Sequence, residues 1–136
     1  MKDLRSNRFF QVRSARNTET AEDYTEMIAD LINENGEARS VDLAERFGVT
    51  SPTVNSIIRR LVREGLVESK PYRSIFLTEE GKVLASFCKK RHEIVYKFLL
   101  AIGVKDEIAK IDAEGLEHHV SKETLKVFEN FILKHK

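Results

Sequence analysis

The spacing of hydrophobic positions predicts a first helix that begins at Thr18 or Thr20 and ends near Asn35-Gly36. Its apolar residues recur three or four positions apart, as on one face of an amphipathic helix. They are Tyr24, Met27, Ile28, Leu31 and Ile32. The preceding residues show no such period, and we expect residues 1–20 to form a flexible basic arm.

A helix-turn-helix pattern follows the first helix. Ser40 is expected to cap a short helix that ends at Phe47, and residues 48–50 are expected to form the turn. Thr50 or Ser51 then caps a second helix. Its expected buried face holds Val54, Ile57, Ile58, Leu61 and Val62. The spacing alone is a weak signal, because many helical hairpins share it.

The continuation of the chain strengthens the pattern. Residues 66–69 and 74–78 predict two strands, joined by a turn at residues 70–73. Two helices followed by a hairpin with a basic tip are typical of a winged helix. The second helix starts with short polar side chains and carries arginines further along, as a DNA recognition helix does. The predicted DNA-binding residues are Ser51, Pro52, Thr53, Asn55, Ser56, Arg59, Arg60 and Arg73.

The C-terminal part of the chain predicts helices only. Thr78 is expected to cap a long helix that ends near Gly103, and a short helix follows over residues 106–112. Ser121 is expected to cap the last helix. These helices carry more apolar residues than so short a stretch can bury, so we expect a homodimer. The predicted class is mostly α with a small β-wing: a winged helix-turn-helix domain (21–78) followed by a helical dimerisation domain (79–136).

Composition excludes several classes of protein. The chain has 136 residues, is 41% hydrophobic and 33% charged, and has no apolar run near the roughly 18 residues of a membrane span. We expect a cytoplasmic protein, because there is no secretory signal and the single cysteine, Cys88, rules out an internal disulfide. Net charge is +1, but residues 1–20 hold five basic and two acidic side chains. A nearly neutral chain can still carry a local phosphate-binding patch.

Three side chains near the C-terminus predict half of a metal site. Glu114, Glu117 and His118 stand at i, i+3 and i+4, so they share one face of a helical turn. Acidic pairs at this spacing are usually a solvated helix face. Like charges stacked in this way destabilise a helix, however, and a divalent cation would neutralise them.

The other half of the site must come from elsewhere in the chain. Asp23 and Glu26 are again three positions apart, and His92 is a further candidate. Carboxylates with imidazole and without thiolate suit Mn²⁺ or Fe²⁺ better than structural zinc or Cu(I). Cys88 is expected to be a buried structural thiol, with a metal or redox role as the alternative.

These motifs resemble the manganese transport regulator branch of the diphtheria toxin repressor family. The resemblance covers roughly residues 20–136 and is most specific over residues 112–121. It implies a dimeric, metal-activated repressor of transcription. It also implies that six residues bind a binuclear Mn²⁺ site. These residues are Asp23, Glu26, His92, Glu114, Glu117 and His118.

The same resemblance favours manganese over iron, although Fe²⁺ remains an alternative. The resemblance implies that the iron-responsive branch has methionine and cysteine at the positions that match Asp23 and Glu114. Larger relatives also carry a third, barrel-like domain, which we do not expect here. The role of the N-terminal arm is not implied.

The expected mechanism is linkage between metal and DNA. Ligands divided between two domains would fix their relative orientation, so that two recognition helices enter successive major grooves of a palindromic operator about 34 Å apart. The alternatives are a metal-independent winged-helix regulator and a di-manganese hydrolase. Against the hydrolase, the sequence offers neither a separate nucleophile nor a phosphate-binding glycine loop. We therefore expect no enzyme and no organic cofactor.

Overall fold

The computed structural model describes residues 4–70 and 73–135, with side chains from residue 17 onward. Met1–Asp3 of the expected arm and Pro71-Tyr72 of the expected hairpin turn lie outside the described residues. The α-helices are α1 Leu4–Asn35, α2 Ser40–Phe47, α3 Ser51–Arg63, α4 Glu79–Ala101, α5 Asp106–Leu116 and α6 Lys122–Lys134. The strands are β1 Val67–Glu68 and β2 Phe76–Leu77, and a 3-10 turn spans Glu117–His119. The predicted class, mostly α with a small β-wing, is confirmed.

The chain divides within α4 into two compact units, Met1–Ser86 and Phe87–Lys136. The core of the first unit collects apolar side chains from its helices and from both strands. Its largest fully buried members are Ile28, Leu31, Leu43, Val54, Leu61, Val67 and Ile75. A small core of this kind rigidifies the helix-turn-helix and its hairpin as one body.

Helix α1 is longer than its hydrophobic pattern predicts. It begins at Leu4, so the predicted start at Thr18 or Thr20 was wrong, and a helix replaces the expected flexible arm over residues 4–20. Those residues contain neither glycine nor proline, so nothing in their backbone chemistry interrupts the helix. The predicted end is confirmed, because Gly36 follows α1 with φ of +83°.

The turn between α2 and α3 follows its sequence signals closely. Gly48 takes the left-handed conformation (φ +66°) that ends α2. The hydroxyl oxygen of Thr50 accepts a hydrogen bond from the backbone N–H of Thr53 (3.3 Å), which confirms Thr50 as the cap of α3. The prediction for Ser40 was wrong by one position, since Arg39 is the N-cap and Ser40 the first helical residue.

Helix α3 buries a narrower face than predicted. Val54, Ile58 and Leu61 are buried and Ile57 is half-buried. Val62 is 41% exposed, so its predicted place in the core was wrong. Its position on the helix is about 80° from that of Val54, at the edge of the apolar stripe.

The hairpin is shorter than predicted but has the expected form. β1 pairs antiparallel with β2, with Val67 opposite Leu77, and the amide of Arg73 donates to the carbonyl of Lys70 across the turn (3.1 Å). Thr78 links the hairpin to α4. Its hydroxyl donates to the carbonyl of Gly65 (2.6 Å) and accepts from the amide of Gly81 (3.1 Å), as expected of the cap.

The second unit has a smaller core built from α4, α5 and α6. Val95, Leu99, Ala109 and Ala113 are buried, and the ring of Phe98 stacks on that of Phe128 with centroids 3.8 Å apart. Ser121 caps α6, as predicted, by accepting from the amide of Thr124 (3.1 Å). Large apolar side chains remain exposed in this unit: Phe87, Leu100, Ile102, Ile108, Ile111, Leu116, Val127 and Leu133.

Gly81, in the first turn of α4, is expected to tolerate no side chain. A Cβ atom there would collide with the backbone carbonyl of Leu66 and lie 3.3 Å from Cβ of Leu77. We expect Gly81→Ala to lower the free energy of unfolding by about 1–3 kcal/mol, as overpacking does. Urea unfolding followed by circular dichroism measures the change.

The matched control is Gly115→Ala, in helix α5, where nothing lies within 4 Å of the added Cβ. We expect it to leave stability unchanged or to raise it by up to about 1 kcal/mol. Wild-type stability of Gly81→Ala would contradict the close approach of α4 to the hairpin.

Candidate metal centre and nucleic-acid interface

The centre of the candidate metal site is a carboxylate held between two imidazoles. His92 lies on α4, while Glu117 and His118 lie on the 3-10 turn that follows α5. Nδ1 of His92 is 2.5 Å from Oε2 of Glu117, and Nε2 of His118 is 3.6 Å from Oε1 of the same carboxylate. The fold therefore brings together three predicted ligands, one of them from a position 25 residues away along the chain.

Burial disfavours the charged form of the Glu117 carboxylate. The side chains of Glu117 and His118 are each 2% exposed, whereas that of His92 is 30% exposed. Burial raises the pKa of Glu117, opposed by the hydrogen bond and the charge of His92. The charge of Glu114 raises it further, so the two acids lie close enough to repel each other.

Glu114 itself is exposed on the last turn of α5. Helix α5 runs to Leu116 and the 3-10 turn continues it, so the predicted helical spacing of the three C-terminal candidates is retained. The buried alanines Ala109 and Ala113 pack α5 into the core of this unit. This packing fixes the turn, and with it the place of Glu117.

Asp23 and Glu26 lie in the first unit. Both are half-buried on α1, and they flank Tyr24 and Thr25, which are buried. The ring of Tyr24 stacks on that of Phe47 with centroids 4.5 Å apart, which fixes this part of α1 against α2. The carboxylates of α1 are therefore presented from a rigid helix.

The donor set of these residues suits a divalent cation. Carboxylate oxygens and neutral imidazole nitrogens are ligands of Mn²⁺ and Fe²⁺. A buried carboxylate beside a second acid gains most from a cation, since the cation removes both the desolvation cost and the repulsion. Cys88 is fully buried, as a structural thiol would be.

Sequence reasoning missed Arg91 as part of this cluster. It is 6% exposed, and its Nη2 lies 3.2 Å from Nδ1 of His118. Arginine is not a metal ligand, so the ligand pattern does not point to it, and only the folded structure shows its contact with His118. The one sequence signal was the position of Arg91 directly before the candidate ligand His92.

The candidate nucleic-acid interface is the exposed side of α3 with the hairpin. Of the predicted residues, these are exposed: Ser51, Pro52, Thr53, Asn55, Ser56, Arg59 and Arg73. Arg60 is half-buried instead. It donates from Nη2 to the carbonyl of Asn17 (2.8 Å), and its Nε lies 3.3 Å from Oε1 of Glu64. It therefore ties α1 to α3, and pairs with an acid of the protein surface.

A basic cavity of about 1000 Å³ lies between α3 and the hairpin. Five cationic side chains line it: Arg39, Arg59, Arg63, Lys70 and Arg73. Glu37 neutralises part of this charge, because its Oε1 lies 2.9 Å from Nε of Arg39. The hydroxyl of Ser74 donates a hydrogen bond to Oε2 of the same carboxylate. The hydrogen bond from Ser74 and the charge of Arg39 lower the pKa of Glu37.

Sequence reasoning also missed three of these cations. Arg63 stands one turn beyond Arg59 on α3, so helical spacing could have found it. Arg39 and Lys70 lie on other parts of the chain, and only the fold of the unit brings them to the cavity.

Among the described residues, no helix is both long and apolar enough to cross a bilayer.

Comparison with known proteins places the chain in a family. The family model described as "Iron dependent repressor, N-terminal DNA binding domain" matches residues 17–75. A second model, described as "Iron dependent repressor, metal binding and dimerisation domain", matches residues 78–136. The transcriptional regulator MntR of Escherichia coli O157:H7 is 54% identical over 127 residues, which are 93% of this chain and 82% of that protein. The HTH-type transcriptional regulator MntR of Bacillus subtilis (strain 168) is 38% identical over 104 residues, 76% of this chain and 73% of that protein.

Solved structures agree with this comparison. The manganese regulator SloR matches with a TM-score of 0.72 and 27% identity, over 85% of this chain and 54% of that one. A manganese-dependent transcriptional repressor in complex with manganese matches with a TM-score of 0.72 and 28% identity, over 82% of this chain and 52% of that one. The chain thus spans about half the length of these solved structures. The MntR relatives are named as regulators of transcription and not as enzymes. As its motifs predict, the chain belongs to the iron-dependent repressor family, to which the MntR regulators also belong.

Proposed function

We propose that the protein is a Mn²⁺-activated, homodimeric repressor that binds a palindromic operator in double-stranded DNA. The observation that carries this proposal is the contact of His92 and His118 with the buried carboxylate of Glu117, in a chain that also forms a winged helix. The names of its relatives, MntR and a manganese-dependent repressor, support manganese as the metal. The regulated genes are those of manganese transport and homeostasis, and the protein acts in the cytoplasm without catalysing a reaction.

The two functions belong to two parts of the chain. Residues 21–78 form the DNA-binding domain, and residues 79–136 form the metal-binding and dimerisation domain. The family matches to residues 17–75 and 78–136 support this division. The exposed apolar side chains of the second unit, among them Ile111 (69% exposed) and Leu133 (61%), support its pairing with a second copy.

Six residues hold the metal in this proposal, as a binuclear site. Those of the second unit are His92, Glu114, Glu117 and His118, and Asp23 and Glu26 complete the set from α1. When bound, the metal supplies positive charge that neutralises the acids and a common ligation point for both domains. Ligation by α1 sets the orientation of the helix-turn-helix packed on it, because Tyr24 and Phe47 couple α1 to α2.

DNA is bound by the exposed side of α3 and by the basic cavity. The short polar side chains Thr53, Asn55 and Ser56 are suited to base edges in the major groove. Arg59, Arg63 and Arg73 line the cavity and are suited to phosphate oxygens. Two such units must be about 34 Å apart to read successive half-sites, so their relative orientation decides affinity.

Coupling between metal and DNA is the first test. We expect saturating Mn²⁺ to raise operator affinity at least about tenfold, roughly 1.4 kcal/mol. Glu117→Ala and His118→Ala should abolish that rise, because each removes a ligand of the second unit. Both variants should remain folded dimers. Fluorescence anisotropy with labelled operator, with Mn²⁺ or with chelator, measures both effects.

The control for coupling is His119→Ala, the exposed histidine next to His118. It should keep the full response to Mn²⁺, and sedimentation should show the same dimer for every variant. Equal operator affinity with Mn²⁺ and with chelator in the wild-type protein would refute the proposed function.

Arg59 and Arg73 are expected to contact phosphate. Either arginine replaced by alanine should weaken operator and non-operator DNA alike and reduce the slope of log affinity against log salt by about one. Asn55→Ala should instead change sequence preference at a constant slope. Arg46→Ala is the control, since Arg46 is paired with Glu34 (2.5 Å) and does not line the cavity. An unchanged slope in Arg73→Ala would mean that the hairpin does not reach DNA.

The raised pKa of Glu117 predicts a pH dependence of stability in chelator. The folded state binds this proton more tightly than the unfolded state, whose Glu pKa is about 4.3. The resulting stabilisation is therefore present below that value and is lost as pH rises through the folded pKa. Glu117→Gln should reduce this loss, measured by urea unfolding between about pH 4 and pH 7. Glu123→Gln, at an exposed acid of α6, should not; equal profiles for wild type and Glu117→Gln would contradict the burial cost.

Asp23 is expected to contribute to metal preference. Its carboxylate is a hard, anionic ligand, and methionine would replace it with a neutral, soft thioether. Asp23→Met should therefore weaken activation by Mn²⁺ more than activation by Fe²⁺. Anaerobic operator binding against each metal measures the ratio, and Asp30→Met, two turns later on α1, is the control. Equal loss for both metals would mean that ligand hardness at this position does not set the preference.

A further inference from the structure

Arg91 is a buried cation in contact with a candidate metal ligand. It precedes His92 on α4 and is 6% exposed. Its Nη2 lies 3.2 Å from Nδ1 of His118 and 3.9 Å from Sγ of Cys88. Its guanidinium carbon lies 5.4 Å from the ring centroid of Phe87, within the range of a cation–π contact.

The chemistry of this contact decides which nitrogen of His118 can bind a metal. A guanidinium group only donates hydrogen bonds, so Nδ1 of His118 must accept, and its lone pair is in use. A neutral imidazole with an accepting Nδ1 carries its proton on Nε2. That nitrogen is 3.6 Å from Oε1 of Glu117. A metal needs a nitrogen lone pair, and the one lone pair of the His118 ring in this arrangement is engaged by Arg91.

Arg91 and a metal ion bound to His118 would be two positive charges at the same nitrogen. Nη2 of Arg91 lies 3.2 Å from Nδ1 of His118, so a metal bound there would replace the hydrogen bond from the guanidinium. Arg91 is buried, and like charges repel more strongly where water is excluded.

We propose that Arg91 is a built-in competitor of the metal, which occupies Nδ1 of His118 in the metal-free protein and must release it before a divalent cation binds there. The proposal rests on the proposed function, since it takes His118 as a ligand. Release of Arg91 costs free energy, so the apparent metal affinity is lower than that of the ligands alone. Arg91 thereby raises the metal concentration at which the protein responds.

The test is metal affinity of the full-length protein without DNA. Free Mn²⁺ is followed by the loss of its six-line electron paramagnetic resonance signal on binding. We expect Arg91→Gln to bind Mn²⁺ more tightly by about tenfold, the worth of one charge-assisted hydrogen bond. The glutamine side chain carries no charge and ends two atoms short of Nη2 of arginine. Lys90→Gln removes the same charge from an exposed neighbouring position and should leave the affinity unchanged.

A purely supporting role for Arg91 would give the opposite sign. If Arg91 only oriented His118, its loss would weaken Mn²⁺ binding. Equal or weaker binding by Arg91→Gln therefore overturns the proposal. Absence of Mn²⁺ binding by the wild-type protein would instead refute the proposed function, so the two failures are distinguishable.

A second measurement uses the wild-type protein and does not depend on the variant folding. Long-range ¹H–¹⁵N spectra of the histidine rings, with His118 assigned by the His118→Gln spectrum, report which nitrogen carries the proton. In chelator we expect the Nε2–H tautomer for His118. On addition of Cd²⁺, which is diamagnetic, coordination should appear at Nδ1. An Nδ1–H tautomer in chelator, or coordination through Nε2, overturns the proposal.

Discussion

The contact between Glu117 and His92 is the interaction on which the second unit depends. A carboxylate with 2% side-chain exposure is stable only beside partners that favour its charge or share its proton. His92 reaches it from α4, and Ala109 and Ala113 hold α5 so that the turn presents Glu117 to α4. The same core therefore has two effects. It fixes the turn that carries Glu117, and it excludes water from the Glu117 carboxylate, which a nearby cation would stabilise.

Local signals were the part of the fold that sequence could predict. Gly48, Thr50 and Ser121 act through bonds within a few residues, and the structure has them where the sequence predicted them. For the same reason, the i, i+3, i+4 spacing predicted that the C-terminal candidate ligands lie together. The start of α1 could not be predicted from periodicity, because a helix without breakers continues to Leu4 although it has no apolar stripe. Arg91 could not be found either, since its contact joins residues 27 positions apart.

Two neighbouring arginines show the limit of helical patterns on α3. Arg59 and Arg60 are one position apart, so their side chains leave the helix about 100° apart. Arg59 lines the basic cavity, whereas Arg60 is bound to Asn17 and Glu64. Sequence places both on the open side of the helix. The difference arises from α1, whose extension brings a carbonyl within reach of only one of them.

Metal preference and metal threshold are separable in a site of this kind. In the proposed site, the ligand types at positions 23 and 114 would interact differently with each cation and so would set the order of affinities. Under the proposal for Arg91, release of His118 precedes binding and costs the same free energy whichever cation follows. It therefore scales every affinity by one factor and leaves the order unchanged. A chain with this arrangement can adjust the concentration to which it responds through a residue that never touches the metal, while the carboxylates keep the choice of metal.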